Sequence, residues 1–144
     1  MDKQNRILAE ELTRAHASLL AAVRNLETSL QPTVKTSLAE LRAELIATQK
    51  QILDHFRYEE QNGYLDAVRQ REPRLEHNIE ALEEEHRQLA DTLAHLREKV
   101  YATTSLEPGL RAEILDWIGA LRHHEARENL LVQDAFNFEA SAED

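Results

Sequence analysis

Two short stretches of the sequence each place a histidine and a glutamate where they could bind a metal ion. HFRYEE, residues 55–60, contains His55 and Glu59, and HEARE, residues 124–128, contains His124 and Glu128. On a helix, residues four apart lie on one face, one turn from each other. Imidazole nitrogen together with carboxylate oxygen suits iron and, less distinctively, manganese or zinc.

Long helices must carry these pairs, because the chain has few residues that break helices. Only three Gly and three Pro occur in 144 residues, a composition typical of one almost entirely helical domain. The breaks predict four long helices, at about residues 2–29, 37–62, 73–101 and 108–134. Ser37 and Glu40 form a capping-box pattern, and Pro73 suits a first helical turn. We expect residues 1–137 to form the domain, 138–144 to be a frayed tail, and 64–73 to be a connector with room for one helical turn.

Each predicted helix has an apolar seam at alternating steps of three and four residues. Adding 70 gives the seam of the third helix from that of the first, at positions 12, 16, 19, 23, 26 and 30. Adding 69 gives the seam of the fourth helix from that of the second, at positions 41, 45, 48, 52, 55 and 59. The chain is therefore two copies of a helix pair. Each copy contributes one lone histidine, His16 or His86, followed by a His-x-x-x-Glu pair. Such helices predict an all-α, antiparallel up-down four-helix bundle with a metal site between facing helices.

The seams would direct six polar side chains into the bundle interior: His16, His55, Glu59, His86, His124 and Glu128. Burying an unpaired carboxylate costs several kcal/mol, a large part of a total stability of about 5–15 kcal/mol. One way to compensate is a buried network of His–Glu salt bridges. The other is two metal ions, each with two histidines, bridged by Glu59 and Glu128 and by a water, hydroxide or oxide. That set leaves one position open on each six-coordinate ion, and the sequence does not assign each histidine to an ion.

The remaining histidines are expected outside this site. His77 and His95 are each nine residues from His86, which turns them to the opposite side of the helix. His123 is one step from His124 and is expected at the boundary of the core. Glu83, which is near His86 in the sequence, is a candidate for one further metal ligand.

Charge and composition exclude several other classes of function. The net charge of −10 argues against nucleic-acid and anionic-membrane partners. The absence of cysteine excludes thiolate zinc sites and iron–sulfur clusters. No apolar run is long enough for a membrane span, and MDKQNRILAEEL lacks a signal-peptide core. A cytoplasmic protein is the expectation.

The ordered set His16, His55-x-x-x-Glu59, His86, His124-x-x-x-Glu128, with HFRYEE and EEHRQL, resembles the hemerythrin-like HHE cation-binding domains over about residues 8–135. The resemblance implies a bundle with two non-haem iron ions and a bridging oxo or hydroxo group. The fifth histidine of oxygen-carrying hemerythrins is missing, since the positions one turn from His86 and His16 are Leu82, Ala90, Leu12 and Leu20. The four-His, two-Glu set looks closer to the branch of the repair-of-iron-centres proteins and of an iron-sensing ubiquitin-ligase domain.

Three functions remain open from the sequence. The first is a di-iron protein that binds or senses dioxygen or a related small molecule, as the resemblance implies. The second is a di-iron redox enzyme that acts on peroxide or nitric oxide by metal-ion catalysis. The third is a metal-free helical bundle with a structural or interaction role.

Overall fold

The computed structural model describes residues 3–61 and 64–143, without the side chains of residues 4, 5, 8, 64 and 137–143. The helices are α1 (Lys3–Ser29), α2 (Leu38–Gln61), α3 (Tyr64–Arg71), α4 (Glu76–Ala102) and α5 (Pro108–Glu143), with a 3₁₀ turn at Pro73–Leu75. No strand occurs in these described ranges. The expected first residue of α1 and the break at residues 62–63 lie outside them. None of the described helices combines the length and the apolarity that a membrane span needs.

Four long helices form the predicted bundle. α1 packs against α2 and α5, and α4 packs against the same two helices, so the order around the bundle is α1, α2, α4, α5. The Ser37 hydroxyl caps α2 as expected, because it accepts a hydrogen bond of 3.1 Å from the Glu40 backbone N–H. The predicted all-α architecture and four-helix bundle are therefore confirmed.

The connector differs from the expectation of a single helical turn. It forms α3, an eight-residue helix, and a 3₁₀ turn beginning at Pro73, so that α4 begins at Glu76 and not at Pro73. Leu65 and Val68 are three residues apart and both are buried in α3. This short apolar face packs α3 onto the bundle, which explains why the segment is helical.

α5 is longer than expected. It continues to Glu143, although its predicted end was near Asp134. No Gly or Pro follows Gly119, and Ala135 and Phe136 are buried in the core beyond the predicted end. Packing of these two residues keeps the chain helical past residue 134. The domain boundary at residue 137 stays a prediction.

The core consists of two apolar clusters with polar residues between them. One cluster includes Leu19, Leu89 and Leu121, and the other includes Leu12, Leu82 and Leu131. On α1, His16 lies between Leu12 and Leu19; on α4, His86 lies between Leu82 and Leu89. On α5, His124, Glu125 and Glu128 lie between Leu121 and Leu131. The polar site thus lies inside the bundle, with apolar packing on both sides.

Candidate metal centre

All six residues that the sequence predicts for the site are buried. Together with Glu125 they form two groups whose possible ligand atoms lie within 4.8 Å of one another. The first ligand group is His16, His55, Glu59 and Glu125, and the second ligand group is His86, His124 and Glu128. Each group draws its residues from different helices, so the bundle itself sets their geometry. The structure therefore pairs His16 with His55 and His86 with His124, an assignment that the sequence had left open.

Glu59 and Glu128 lie between the two pairs of histidines. Oε1 of Glu59 is 2.9 Å from Nε2 of His55 and 3.6 Å from Nε2 of His86. Glu128 presents Oε1 to His16 at 3.5 Å and Oε2 to His124 at 3.2 Å. Each carboxylate thus faces histidines of both groups. This is the arrangement that two bridging carboxylates require.

Glu125 is the site residue that the sequence reasoning missed. It is 1% exposed, and its Oε2 lies 2.7 Å from Nε2 of His16 while its Oε1 lies 3.6 Å from Nε2 of His55. It was missed because it follows His124 directly and is about 100° away from the seam on the helix. A signal was present in the repeat, which places the large apolar Phe56 at the equivalent position of α2. An apolar residue there indicates that this register faces the interior.

Phe56 contacts the second ligand group. Its ring stacks on the His86 ring with 4.1 Å between centroids and 11° between planes. The His124 ring lies edge-on to it at 6.0 Å. At equivalent positions of the repeat, the first group therefore has a carboxylate, that of Glu125, and the second group contacts an aromatic ring, that of Phe56.

Three of the histidines are held by their outer nitrogen, Nδ1. These bonds join His16 to Asn129 Oδ1 at 2.7 Å, His86 to Glu60 Oε1 at 3.0 Å, and His124 to Glu85 Oε1 at 3.0 Å. A carboxylate or amide oxygen only accepts, so Nδ1–H is the donor in each bond. In the neutral imidazole this fixes the lone pair on Nε2, which points to the centre of the site, and bonds of this kind orient histidines that bind metals.

Eight buried polar atoms at the centre have no hydrogen-bond partner among the described residues. They are Nε2 of His55, His86 and His124, Oε1 of Glu59, and both carboxylate oxygens of Glu125 and of Glu128. Leaving such an atom unsatisfied costs about 1–3 kcal/mol. Lone pairs on nitrogen and oxygen that converge from several helices are what a cation satisfies all at once, so these residues fit a metal site.

Protonation of the histidines in the first ligand group is the alternative way to offset the cost of burying its carboxylates. Burial alone would lower the pKa of His16, but the nearby carboxylates of Glu125 and Glu59 raise this pKa to about 10. The pKa of His55 is raised in the same way to about 9. Burial would raise the pKa of Glu125, but the nearby imidazoles of His16 and His55 lower it to about 2. Protons on these histidines can hold the first group together and must leave when a metal binds.

The second ligand group behaves differently. Burial lowers the pKa of His124, and the hydrogen bond to Glu85 offsets this only in part. Neutral His124 is therefore ready to donate a lone pair, whereas His16 and His55 must first lose a proton. Protonation thus favours the salt-bridge alternative at His16 and His55 and disfavours it at His124.

The residues expected outside the centre lie outside it. The His77 side chain is 96% exposed, and His95 is also exposed, as predicted. His123 is exposed, so the prediction that it lies at the core boundary is wrong. It is one residue from His124 along the helix, and its side chain therefore faces the groove between α4 and α5. Glu83 does not join the site, because its carboxylate forms an ion pair with Arg69.

Comparison with known proteins identifies one family. The family model described as hemerythrin HHE cation binding domain matches residues 7–136, a span that contains every residue of both ligand groups. Neither the search of curated proteins nor the search of solved structures found a match to the chain. Closeness to the repair-of-iron-centres branch stays a prediction.

Proposed function

The chain belongs to the hemerythrin HHE cation-binding family, and from that premise we propose that it binds two non-haem iron ions with a bridging oxo or hydroxo group. A small molecule, dioxygen or a related diatomic or peroxide, would bind at an open position on one of these ions. The protein would act by binding or sensing this molecule. A cytoplasmic location is part of the proposal.

The observation that carries the proposal is the convergence of orphaned ligand atoms on one buried place. Two ligand groups share Glu59 and Glu128, and eight of their polar atoms lack hydrogen-bond partners among the described residues. A single ion would leave one group unsatisfied, so the arrangement supports two. The donors are imidazole and carboxylate, without sulfur, and this set suits iron.

The chain's own residues divide the work. Each histidine supplies Nε2 to the centre, and Asn129, Glu60 and Glu85 orient three of the rings through Nδ1. The apolar clusters on both sides exclude bulk water from the centre. When bound, iron supplies the electrons and the vacant position that protein side chains lack.

Oxygen cycling of the iron-loaded protein tests the proposal. The protein is loaded with ferrous iron without air, its iron content is measured, and visible spectra are recorded through repeated cycles of air and argon. We expect two iron ions per chain and an absorbance change that reverses in each cycle. His55→Ala should lose the change, and His77→Ala, which alters an exposed histidine, should keep it.

Two results would contradict oxygen binding or sensing. Iron content near zero after loading would remove the metal site altogether. Sustained consumption of peroxide or nitric oxide, lost in His55→Ala, would instead favour the redox enzyme that the sequence also allows.

A further inference from the structure

We infer that a second molecule of this protein binds in the groove between α4 and α5, with its own α5 antiparallel to the first and crossing it at Gly119 and Ala120. The contact has two-fold symmetry, so each molecule presents the same surface to the other. The inference goes beyond the proposed function, and it does not require bound metal.

The groove between α4 and α5 is an open concavity of about 630 Å³ on the outside of the bundle. Its floor is formed by Leu89, Leu96 and Trp117, all three buried. The Trp117 Nε1–H already donates to the Leu89 carbonyl oxygen at 2.9 Å, so the floor offers mainly carbon to a partner. Covering this floor removes apolar surface from water, and that favours association.

The internal repeat shows that such a groove is not a general consequence of the bundle. The shift of 69 residues places Lys50 at the position equivalent to Gly119, and Gln51 at that equivalent to Ala120. Gln51 reaches from α2 to α1, where its Nε2–H donates to the Ser18 carbonyl oxygen at 3.4 Å. Two long side chains thus lie on α2 where α5 has almost no side chain. The open surface is therefore specific to the sequence of α5.

Gly119 lies on the exposed face of α5, well inside the helix. Glycine weakens the interior of a helix relative to alanine. A Cβ placed on Gly119 would have no neighbour within 4 Å among the described residues, beyond its chain neighbours and the helix's own backbone. Lack of space within one molecule thus does not explain the glycine. A second helix that crosses here does explain it, because small side chains at the contact let two helix axes approach closely.

The charges on either side of this crossing point match a second molecule in antiparallel orientation. Asp116 lies three residues before Gly119, and His123 lies three residues after Ala120. Both are exposed, and neither forms a hydrogen bond or ion pair with another described residue. Around a two-fold axis at the crossing point, Asp116 faces the partner's His123, whose imidazole N–H can donate to the carboxylate. A parallel pair would instead place the two Asp116 carboxylates together, and like charges at an interface are unfavourable.

The rim of the groove reduces the repulsion between two acidic molecules. Each chain has a net charge of −10, so two of them repel each other at a distance. Within each molecule, however, Lys99 pairs with Glu113 at 3.0 Å, and Arg127 pairs with Glu85. From Glu113 to Arg127 is only about four turns of helix, and interfaces below about 1,200 Å² are typical of weak, transient complexes. We therefore expect a dimer that dissociates on dilution.

Sedimentation equilibrium of the full chain tests the inference. The protein should be monomeric at about 1 μM and largely dimeric at about 1 mM, the range in which weak complexes dissociate. Gly119→Lys introduces the residue that α2 has at the equivalent position, and it should weaken the dimer by roughly tenfold or more. It should also raise the unfolding temperature of the monomer, because lysine favours helix more than glycine does. Ala21→Lys is the matched control, since it adds the same charge to an exposed face of α1 and should leave the dimer unchanged.

A charge exchange tests the orientation of the two helices. Asp116→Lys places a lysine opposite the partner's His123, and His123→Asp places two aspartates opposite each other, so each variant alone should stay monomeric. An equimolar mixture should form a heterodimer, because it joins the new lysine to the new aspartate and the original Asp116 to the original His123.

Four results would overturn the inference. They are an unaltered protein that is monomeric at every concentration, a dimer that Gly119→Lys leaves intact, an equal loss of the dimer in Ala21→Lys, and a mixture of the charge variants that stays monomeric. If Gly119→Lys does not fold, the mixture decides the question by itself.

Discussion

The two ligand groups occupy equivalent places in a repeated helix pair, yet they distribute negative charge differently. The first group has a carboxylate inside, Glu125, and its outer partner on His16 is the neutral Asn129. The second has the Phe56 ring inside, and its outer partners are the carboxylates Glu60 and Glu85.

The repeat shows how this difference arose position by position. Asn129 is equivalent to Glu60, and the residue equivalent to Glu85 is Ala15, which has no polar side chain. The shared positions build the two ligand groups, and the positions that differ make these groups chemically unequal. The lesson is that a duplicated scaffold can supply the ligands while a few unmatched residues divide the tasks between the two copies.

Metal removal is expected to have the largest effect, because it affects both groups. A ligand that binds only the folded state stabilises it by about 4 kcal/mol when its free concentration is 1,000 times Kd. The chelated protein should therefore unfold at a clearly lower urea concentration than the protein with two cations. Equal unfolding midpoints for the two forms, measured by circular dichroism, would mean that no cation holds the groups together.

Removing the charge of a shared carboxylate should have the next largest effect. Glu59→Gln and Glu128→Gln keep the side-chain size but lose a carboxylate that faces both groups. We expect each to lower metal affinity at both positions by more than the roughly 10–100-fold typical of an outer partner. Elemental analysis after dialysis measures this, with His77→Ala as the control. Full occupancy in all three variants would show that the carboxylates do not bridge.

Changes in the outer partners sharpen the comparison between the groups. Glu85→Gln weakens the acceptor of His124 Nδ1–H and should lower metal affinity roughly 10–100-fold at the second position only. Asn129→Ala removes the acceptor of His16 and should act only on the first position. Stepwise cobalt titration, followed by visible absorption, measures the affinity of each binding step. A loss at both positions in either variant would argue that the groups are not independent.

The pH dependence of the metal-free protein should show the smallest effect, and it arises from the first group. The pKa of His16 is raised to about 10 and that of His55 to about 9. Their stabilisation is therefore complete below the ordinary value of about 6.5 and is lost as pH rises through 9 to 10. The pKa of Glu125 is lowered to about 2, so its contribution is present above about 4.5 and is lost as pH falls toward 2.

Urea unfolding of the metal-free protein across this range measures the effect. Stability from these groups should be greatest between about pH 4.5 and 6.5. Glu125→Gln should partly flatten the profile, because it removes one of the two carboxylates that raise the pKa of both histidines. A profile that keeps its shape in this variant would place the proton-binding groups elsewhere.

The sequence predicted the four-helix bundle and placed six residues in its centre, and all six are buried in the structure. These predictions were possible because the signal in the sequence was periodic. Seams in steps of three and four identify the inward face, and the repeat confirms each interruption by a second copy. His16 and His86 fall at the same seam position of α1 and α4 and both are buried. Their roles as metal ligands remain predictions.

What the sequence did not reveal depends on packing between helices. Glu125 lies off the seam of α5, and its part in the site becomes evident when α1 and α2 bring His16 and His55 to it. α3 is too short for a periodic pattern, and its helix is held by the burial of Leu65 and Val68. The later end of α5 likewise depends on packing between helices, since Phe136 is buried in a cluster with residues of other helices.

Anomalous diffraction at the metal absorption edge, from crystals of the iron-loaded protein, tests the central claim most directly. The account predicts two peaks per chain inside the bundle, one beside His16 and His55 and the other beside His86 and His124, with Glu59 and Glu128 between them. A single peak, no peak, or peaks only at surface carboxylates would contradict it.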